Sequence, residues 1–281
     1  MSFAVVARKD FQDARLSKTL WGLSALFIVL MAGMAYLYAE LPALSGDTNE
    51  LSALGLMFFL AAPATLFVSI TAVIIAAKSV AGERENGSMK LMLSYPHSRR
   101  DVVLGKVTGR AAVLVLPLVI GFAVAAIVVL AKYATFTPID YVLFVLLTVL
   151  YAFAYISLVV GLSATTGSGA RATAMAIGLF VVLELLWDVV PLGVLYLLEG
   201  RLVPPQEYPN WALFLSGLTP SAAYSTAMGA VLPESPNAVL GIGSTGDVPF
   251  YLADWFGLVL LVAWAVIPVS LGYLRFQVAD L

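Results

Sequence analysis

Six uninterrupted apolar runs, each long enough to cross a hydrocarbon core as a helix, constrain this chain more than any other feature. A helix rises about 1.5 Å per residue, so a core about 30 Å thick takes roughly 20 residues. The runs cover residues 20–38, 54–77, 111–131, 138–163, 172–190 and 254–273. Within lipid the backbone must satisfy its own hydrogen bonds, which segments of this length do as helices. Charged residues make up 11% of the chain, against about a quarter in a soluble domain. The expected fold is an all-α membrane protein with six transmembrane helices in a single domain over residues 1–281, and no repeat of solenoid period is visible.

The distribution of charge orients the spans. Residues 78–110 carry Lys78, Arg84, Lys90, Arg99, Arg100, Lys106 and Arg110, whereas the loop between the first two runs holds Glu40, Asp47 and Glu50 and no basic residue. Basic loops stay in the cytoplasm. With both termini on the same side as residues 78–110, thirteen of the fifteen Lys and Arg residues lie inside. The exceptions are Lys132 and Arg201, in segments placed outside. The chain is expected in a prokaryotic cell membrane, multi-pass, with both termini cytoplasmic.

Two segments outside the spans have their own character. Residues 1–19 read as an amphipathic helix lying in the membrane surface, with Phe3, Ala7, Phe11 and Ala14 on one face and Arg8, Lys9, Gln12 and Asp13 opposite. Their charges leave no early apolar core, so no cleavable signal is expected. The external segment, residues 191–253, holds eight prolines between Pro191 and Pro249 and reads as irregular apart from short helices. Pro191 is expected to break or kink the fifth span. Thr219 as N-cap and Pro220 at the first helical position open one of the short helices.

The cytoplasmic segment, residues 78–110, is the most informative. Gly87 ends the extension of the second span, and Ser88 caps a short helix over Ser88–Ser94 bearing Met89, Leu91, Met92 and Leu93. Pro96 stops it, and Ser98 with Asp101 three residues later forms a capping box for the helix leading into the third span. The result is a short helix across the ends of two spans that exposes Leu and Met side chains for a contact.

Residues 82–106 resemble the E-R-E-x-G-[ST]…LL-S-x-P-x-S-R…GK stretch between the second and third spans of ABC-2-type permeases, particularly the branch containing the copper-processing permease of nitrous oxide reductase maturation. Leu218-Thr-Pro-Ser-Ala-Ala-Tyr224 resembles that family's NP-x-x-x-[FY] element, with Thr in place of Asn. The resemblance implies that Ser88–Ser94 is the coupling helix that sits in a groove of a partner ATPase. On that basis Glu83, Arg84, Glu85, Gly87, Ser88, Leu91 and Leu93 form the ATPase-coupling element. It further implies two ABC ATPase subunits, a second permease copy or a paralogous permease, and export as the mode of transport. The chain itself is expected to be non-catalytic and without cofactor, ATP and magnesium belonging to the partner ATPase. Membrane lipid is a partner and nucleic acid is not.

Local motifs agree. Gly105-Lys106 lacks the upstream glycine and the following hydroxyl of a phosphate-binding loop. Gly161-Leu-Ser163 superficially resembles a membrane serine nucleophile, but the only histidine, His97, lies in the cytoplasmic loop and leaves it without a base. No metal ligands are expected. Glu184 and Asp188 fall one turn apart on the fifth span, Asp188 near its outer end. Glu184 and Tyr224 are the candidates for a pathway or gate. A carrier coupled to ions or protons through Glu184 is the alternative, although neither internal repeats nor broken helices at the midplane are read from the sequence. A non-transporting scaffold is a third reading.

Overall fold

The computed structural model describes residues 3–15, 17–45, 53–94, 98–132, 137–232 and 249–279. Six helices among them are long and apolar enough to cross a membrane. Span one is α2 (Lys18–Ser45), preceded by α1 (Phe3–Arg15). Span two is α3 (Ala53–Ala76), followed by two short helices, α4 (Ala81–Glu85) and α5 (Ser88–Ser94). Span three is α6 (Arg99–Lys132) and span four is α7 (Pro138–Ala164). Span five comprises α8 (Gly169–Phe180) and a π-helical turn, Val181–Leu186. Then come α9 (Val189–Glu199), α10 (Asn210–Ser216), α11 (Pro220–Val231) and span six, α12 (Asp254–Gln277).

Span four is the centre of the bundle. In its most hydrophobic stretch 61% of residues are buried, against 22% in spans one, five and six. Lipid tails are as apolar as leucine, so spans associate through close packing and small side chains. Ala64, Ala72, Ala76, Ala125, Ala152 and Ala164 are accordingly buried at the contacts. Larger rings fill the remainder: Phe27 stacks between Phe67 and Phe122, with centroids 4.4 and 5.6 Å away, and Phe122 meets Phe144 at 5.1 Å. Gly121 makes room for Phe27, since a Cβ there would lie 2.6 Å from the ring.

Spans four and six meet backbone to backbone. A Cβ on Gly272 would collide with the main chain of Gly161, and one on Gly161 with the carbonyl of Pro268. Gly257 allows the same approach of α11 to α12, where a Cβ would lie 2.5 Å from the amide nitrogen of Ala227. Gly161, read in sequence as part of a nucleophile-like motif, is thus a crossing point.

The structure corrects two expectations. The docked face of α1 is formed by buried Val6 and Asp10 against Gly105 and Gly109 of α6, whereas Phe3 of the predicted apolar face stays exposed. The α6 helix is long enough, at about 51 Å, to project beyond a bilayer, and α1 packs on that projection. The second correction concerns span five, which is interrupted at residues 181–188, before Pro191. Pro191 is the third residue of α9, within the first turn, where its missing N–H costs no helical bond. The short external helices form as expected among the described residues, with Pro209 the N-cap of α10 and Pro220 the first residue of α11. Glu184 and Asp188 are separated by the widened turn, Glu184 partly buried and Asp188 exposed, in keeping with a place for Asp188 near the outer end of the span. Pro96 and His97 lie outside the described residues.

A side chain forced into the span-four to span-six crossing has no room to relax, because the opposing atoms are backbone. Gly272→Val should lower the thermal unfolding midpoint in detergent by an amount corresponding to about 1–3 kcal/mol or more. Gly22→Ala, at an exposed position with open space around its Cβ, should leave it unchanged. Equal behaviour of the two variants would contradict the crossing.

Candidate functional site

The predicted coupling element begins where span two gives way to α4. After Ala76 the chain turns through residues 77–80, and Val80 and Ala81 open the next helix, α4. Both donate to the buried hydroxyl oxygen of Ser163 on span four, at 3.2 and 3.1 Å. Ser163 therefore plays the part of an N-cap supplied from another helix.

Three consecutive charged residues on α4 then point in three directions, as helical neighbours about 100° apart must. Glu83 Oε1 accepts from Lys106 Nζ at 2.6 Å. Lys106, whose side chain is 4% exposed, also donates to Asp10 Oδ1 of α1 at 2.7 Å, and Arg110 Nε closes on Asp10 Oδ2 at 2.7 Å. Two carboxylates and two cations form a neutral cluster, which is what permits their burial. Arg84 Nη1 donates to the carbonyl of Ala164 at the end of span four, at 3.4 Å, and its guanidinium lies 5.8 Å from the ring of Phe276 on span six. Glu85 Oε2 accepts the N–H of Gly169, at 3.1 Å, where span five starts and where helix polarity favours a carboxylate. Glu83, Arg84 and Glu85 thus join α1 and span three, spans four and six, and span five respectively.

Gly87 adopts a φ of +77° just after α4 and donates to Arg84 O at 3.3 Å, ending that helix as expected. Ser88 does not cap α5. The helix starts at Ser88 itself, and the Asn86 side-chain oxygen accepts both the Ser88 N–H, at 3.0 Å, and its hydroxyl, at 2.7 Å. Nor does α5 expose all its apolar side chains: Met89 is fully buried, Met92 and Leu93 pack against the core, and Leu91 stands out at 70% exposure. The Ser98 capping box forms, with Asp101 N–H donating to Ser98 Oγ and Ser98 N–H to Asp101 Oδ2, both at 3.1 Å. Next to it, Arg99 Nη1 donates to the carbonyls of Gln277 and Ala279 at 2.8 and 2.9 Å and its guanidinium lies 5.4 Å from Phe276, tying the end of span six to the start of α6. Arg99 carries no local signal of this role, its partners lying some 180 residues away in sequence.

A second polar centre lies among spans two, four and five and α11. The Tyr151 hydroxyl sits 3.4 Å from both Glu184 Oε1 and the carbonyl of Thr65, with its ring 5.3 Å from that of Tyr224. The Tyr224 hydroxyl pairs with Thr148 Oγ1 at 2.8 Å. Glu184 and Tyr224 are thus brought together through Tyr151, which sequence reasoning missed. Its spacing of four from Tyr155 in an apolar run was the available signal. Thr219 caps α11 as expected, accepting the Ala222 N–H at 3.1 Å.

These features have counterparts among known proteins. Residues 4–281 match the family described as "ABC-2 family transporter protein". The chain belongs to that family. It is 30% identical over 272 residues to a protein of Stutzerimonas stutzeri named "Probable ABC transporter permease protein NosY", covering 93% of this chain and 96% of that protein. A protein of the same name from Pseudomonas aeruginosa is 29% identical over 268 residues, covering 92% and 94% respectively. As an ABC-2 family chain it is a non-catalytic, multi-pass membrane subunit of an ABC transporter.

Removing the Lys106 ammonium would leave the Asp10 and Glu83 carboxylates facing each other beside α4. Lys106→Met should cost about 3–5 kcal/mol and loosen α1, read as a lower unfolding midpoint and faster proteolysis within residues 3–15. The double variant Lys106→Met with Asp10→Asn should recover part of the loss. An unchanged midpoint in the single variant would mean that the cluster is dispensable.

Proposed function

We propose that this chain is the permease half of an exporter in a prokaryotic cell membrane, with both termini cytoplasmic. In this reading it assembles with a second permease copy, or a paralogous permease, and with two ABC ATPase subunits that bind ATP and magnesium. The supporting observation is the contrast along α5. Its other large apolar side chains turn inward, and Leu91, 70% exposed, projects from the middle of α5, just beyond the helix α4 whose charged residues are bonded to other spans. An exposed leucine flanked by Lys90 and Ser94 suits the apolar floor of a partner groove with a polar rim.

Force applied at Leu91 reaches the membrane by two routes in this proposal. One is direct, through buried Met89 into the core. The other passes through Glu83, Arg84 and Glu85 to α1 and spans three to six. A tilt of α4 would shift the ends of those helices together, which is the requirement for opening a pathway at the far side. Glu184 and Tyr224 line or gate that pathway, and the interruption of span five beside Glu184 supplies the local freedom, since π turns inside helices concentrate at functional sites. The same interruption is the observation that favours a carrier coupled through Glu184, which would move its substrate with no ATPase present.

Leu91→Asp places a carboxylate in the proposed contact while leaving the buried side of α5 intact. Association with the ATPase, followed by co-purification from membranes, should fall at least tenfold, since desolvating an unpaired charge costs several kcal/mol. Transport-linked ATP hydrolysis should fall with it, and membrane insertion should be normal. Full ATPase association by normally inserted Leu91→Asp protein would rule out α5 as the coupling helix.

A further inference from the structure

Between spans two and five an apolar groove of about 590 Å³ runs towards the basic end of the bundle. Ile70 and Ile74 form one wall, Ile177 and Phe180 the other, and Lys78, Ser79 and Arg110 close the basic end. The distance from Ile70 to Lys78 along the helix direction is about 12 Å, so the groove offers a lengthwise apolar slot with a polar head.

The head is built for an anion. The carboxylates nearest it are already engaged: Asp10 with Lys106 and Arg110, Glu83 with Lys106, and Glu85 with the Gly169 amide. Lys78, by contrast, has no ion-pair partner among the described residues, and its exposed chain lies along Gly82 and Gly169. Ser79 is the second, independent sign. Its hydroxyl is buried and has no hydrogen-bond partner among the described residues, although it lines this groove. Buried polar groups in native proteins are almost always satisfied, so Ser79 Oγ calls for a partner that the described residues do not supply.

We propose that this groove holds one anionic phospholipid of the leaflet at the basic end, an acyl chain lying between Ile74 and Ile177 and the phosphate facing Lys78, Ser79 and Arg110. An apolar slot alone would accept any lipid tail. The unpaired lysine and the unsatisfied hydroxyl select a negatively charged headgroup with free acceptor oxygens, the recognition expected of basic pockets between spans. Neither the ATPase nor the direction of transport enters this proposal.

Native mass spectrometry of the purified full chain in detergent tests it, using phosphatidylglycerol and phosphatidylcholine with matched acyl chains. The unmodified chain should retain the first phosphatidylglycerol about fivefold or more over phosphatidylcholine, the factor that one basic residue near the surface contributes. Lys78→Met, which keeps the aliphatic stem, should remove most of that preference, and Ile177→Trp, which fills the slot, should lower retention of both lipids. Equal retention of the two lipids by the unmodified chain would overturn the proposal. So would displacement of phosphatidylglycerol by excess inorganic phosphate, which would mean an anion site without a lipid slot. A dimer that retains no lipid would also overturn it, because a second copy would then be the occupant.

Discussion

A lysine ammonium withdrawn from water between two carboxylates governs the basic end of this protein. Lys106 is buried between Asp10 and Glu83, and Arg110, paired with the other oxygen of Asp10, balances the second carboxylate charge of the cluster. Such a cluster contributes little net stability compared with apolar packing, yet it is costly to break one partner at a time. Its value lies in position. It fixes the first helix to the third span and both to the segment that follows the second, so the entry to α5 cannot move independently of α1.

The neighbouring contacts extend the same logic. Arg84 and Arg99 approach the ring of Phe276, and Arg99 also gathers the last carbonyls of span six. Ser163 holds the start of α4 from span four, two residues beyond the crossing where Gly161 meets Gly272. Polar bonding at the basic end and close backbone packing within the bundle therefore act on the same helices, and a displacement of α4 is passed to rods instead of being absorbed by side chains.

How much of this is legible in sequence depends on the range of the interaction. The spans follow from local apolarity, and the Ser98–Asp101 box, the Gly87 turn and the Thr219-Pro220 helix start follow from bonds reaching only a few residues. The family was readable from residues 82–106 for the same reason. Partners far apart were not readable: nothing around Ser163 shows that it serves the amides of Val80 and Ala81, and nothing around Arg99 points to the end of span six. The break in span five was hidden because Val-Val-Leu-Glu-Leu-Leu contains neither Pro nor Gly. Pro191 misled because proline disrupts a helix interior but suits a helix start, and only the fold distinguishes the two. On α5, periodicity supplies the apolar residues but not the choice of Met89 for the core and Leu91 for the surface, which depends on where the core lies.

The central claim is that Glu83, Arg84 and Glu85 distribute a push on α5 to several helices at once. Hydrogen exchange of the intact permease, with and without its ATPase subunits bound, addresses this directly. The account predicts altered amide protection in α5 together with three distant sites: α1, the start of span five around Gly169, and the end of span six around Phe276. In a chain carrying Glu83→Gln and Glu85→Gln the changes in α1 and around Gly169 should shrink while those in α5 persist. Protection changes confined to α5 in the unmodified permease would contradict the account.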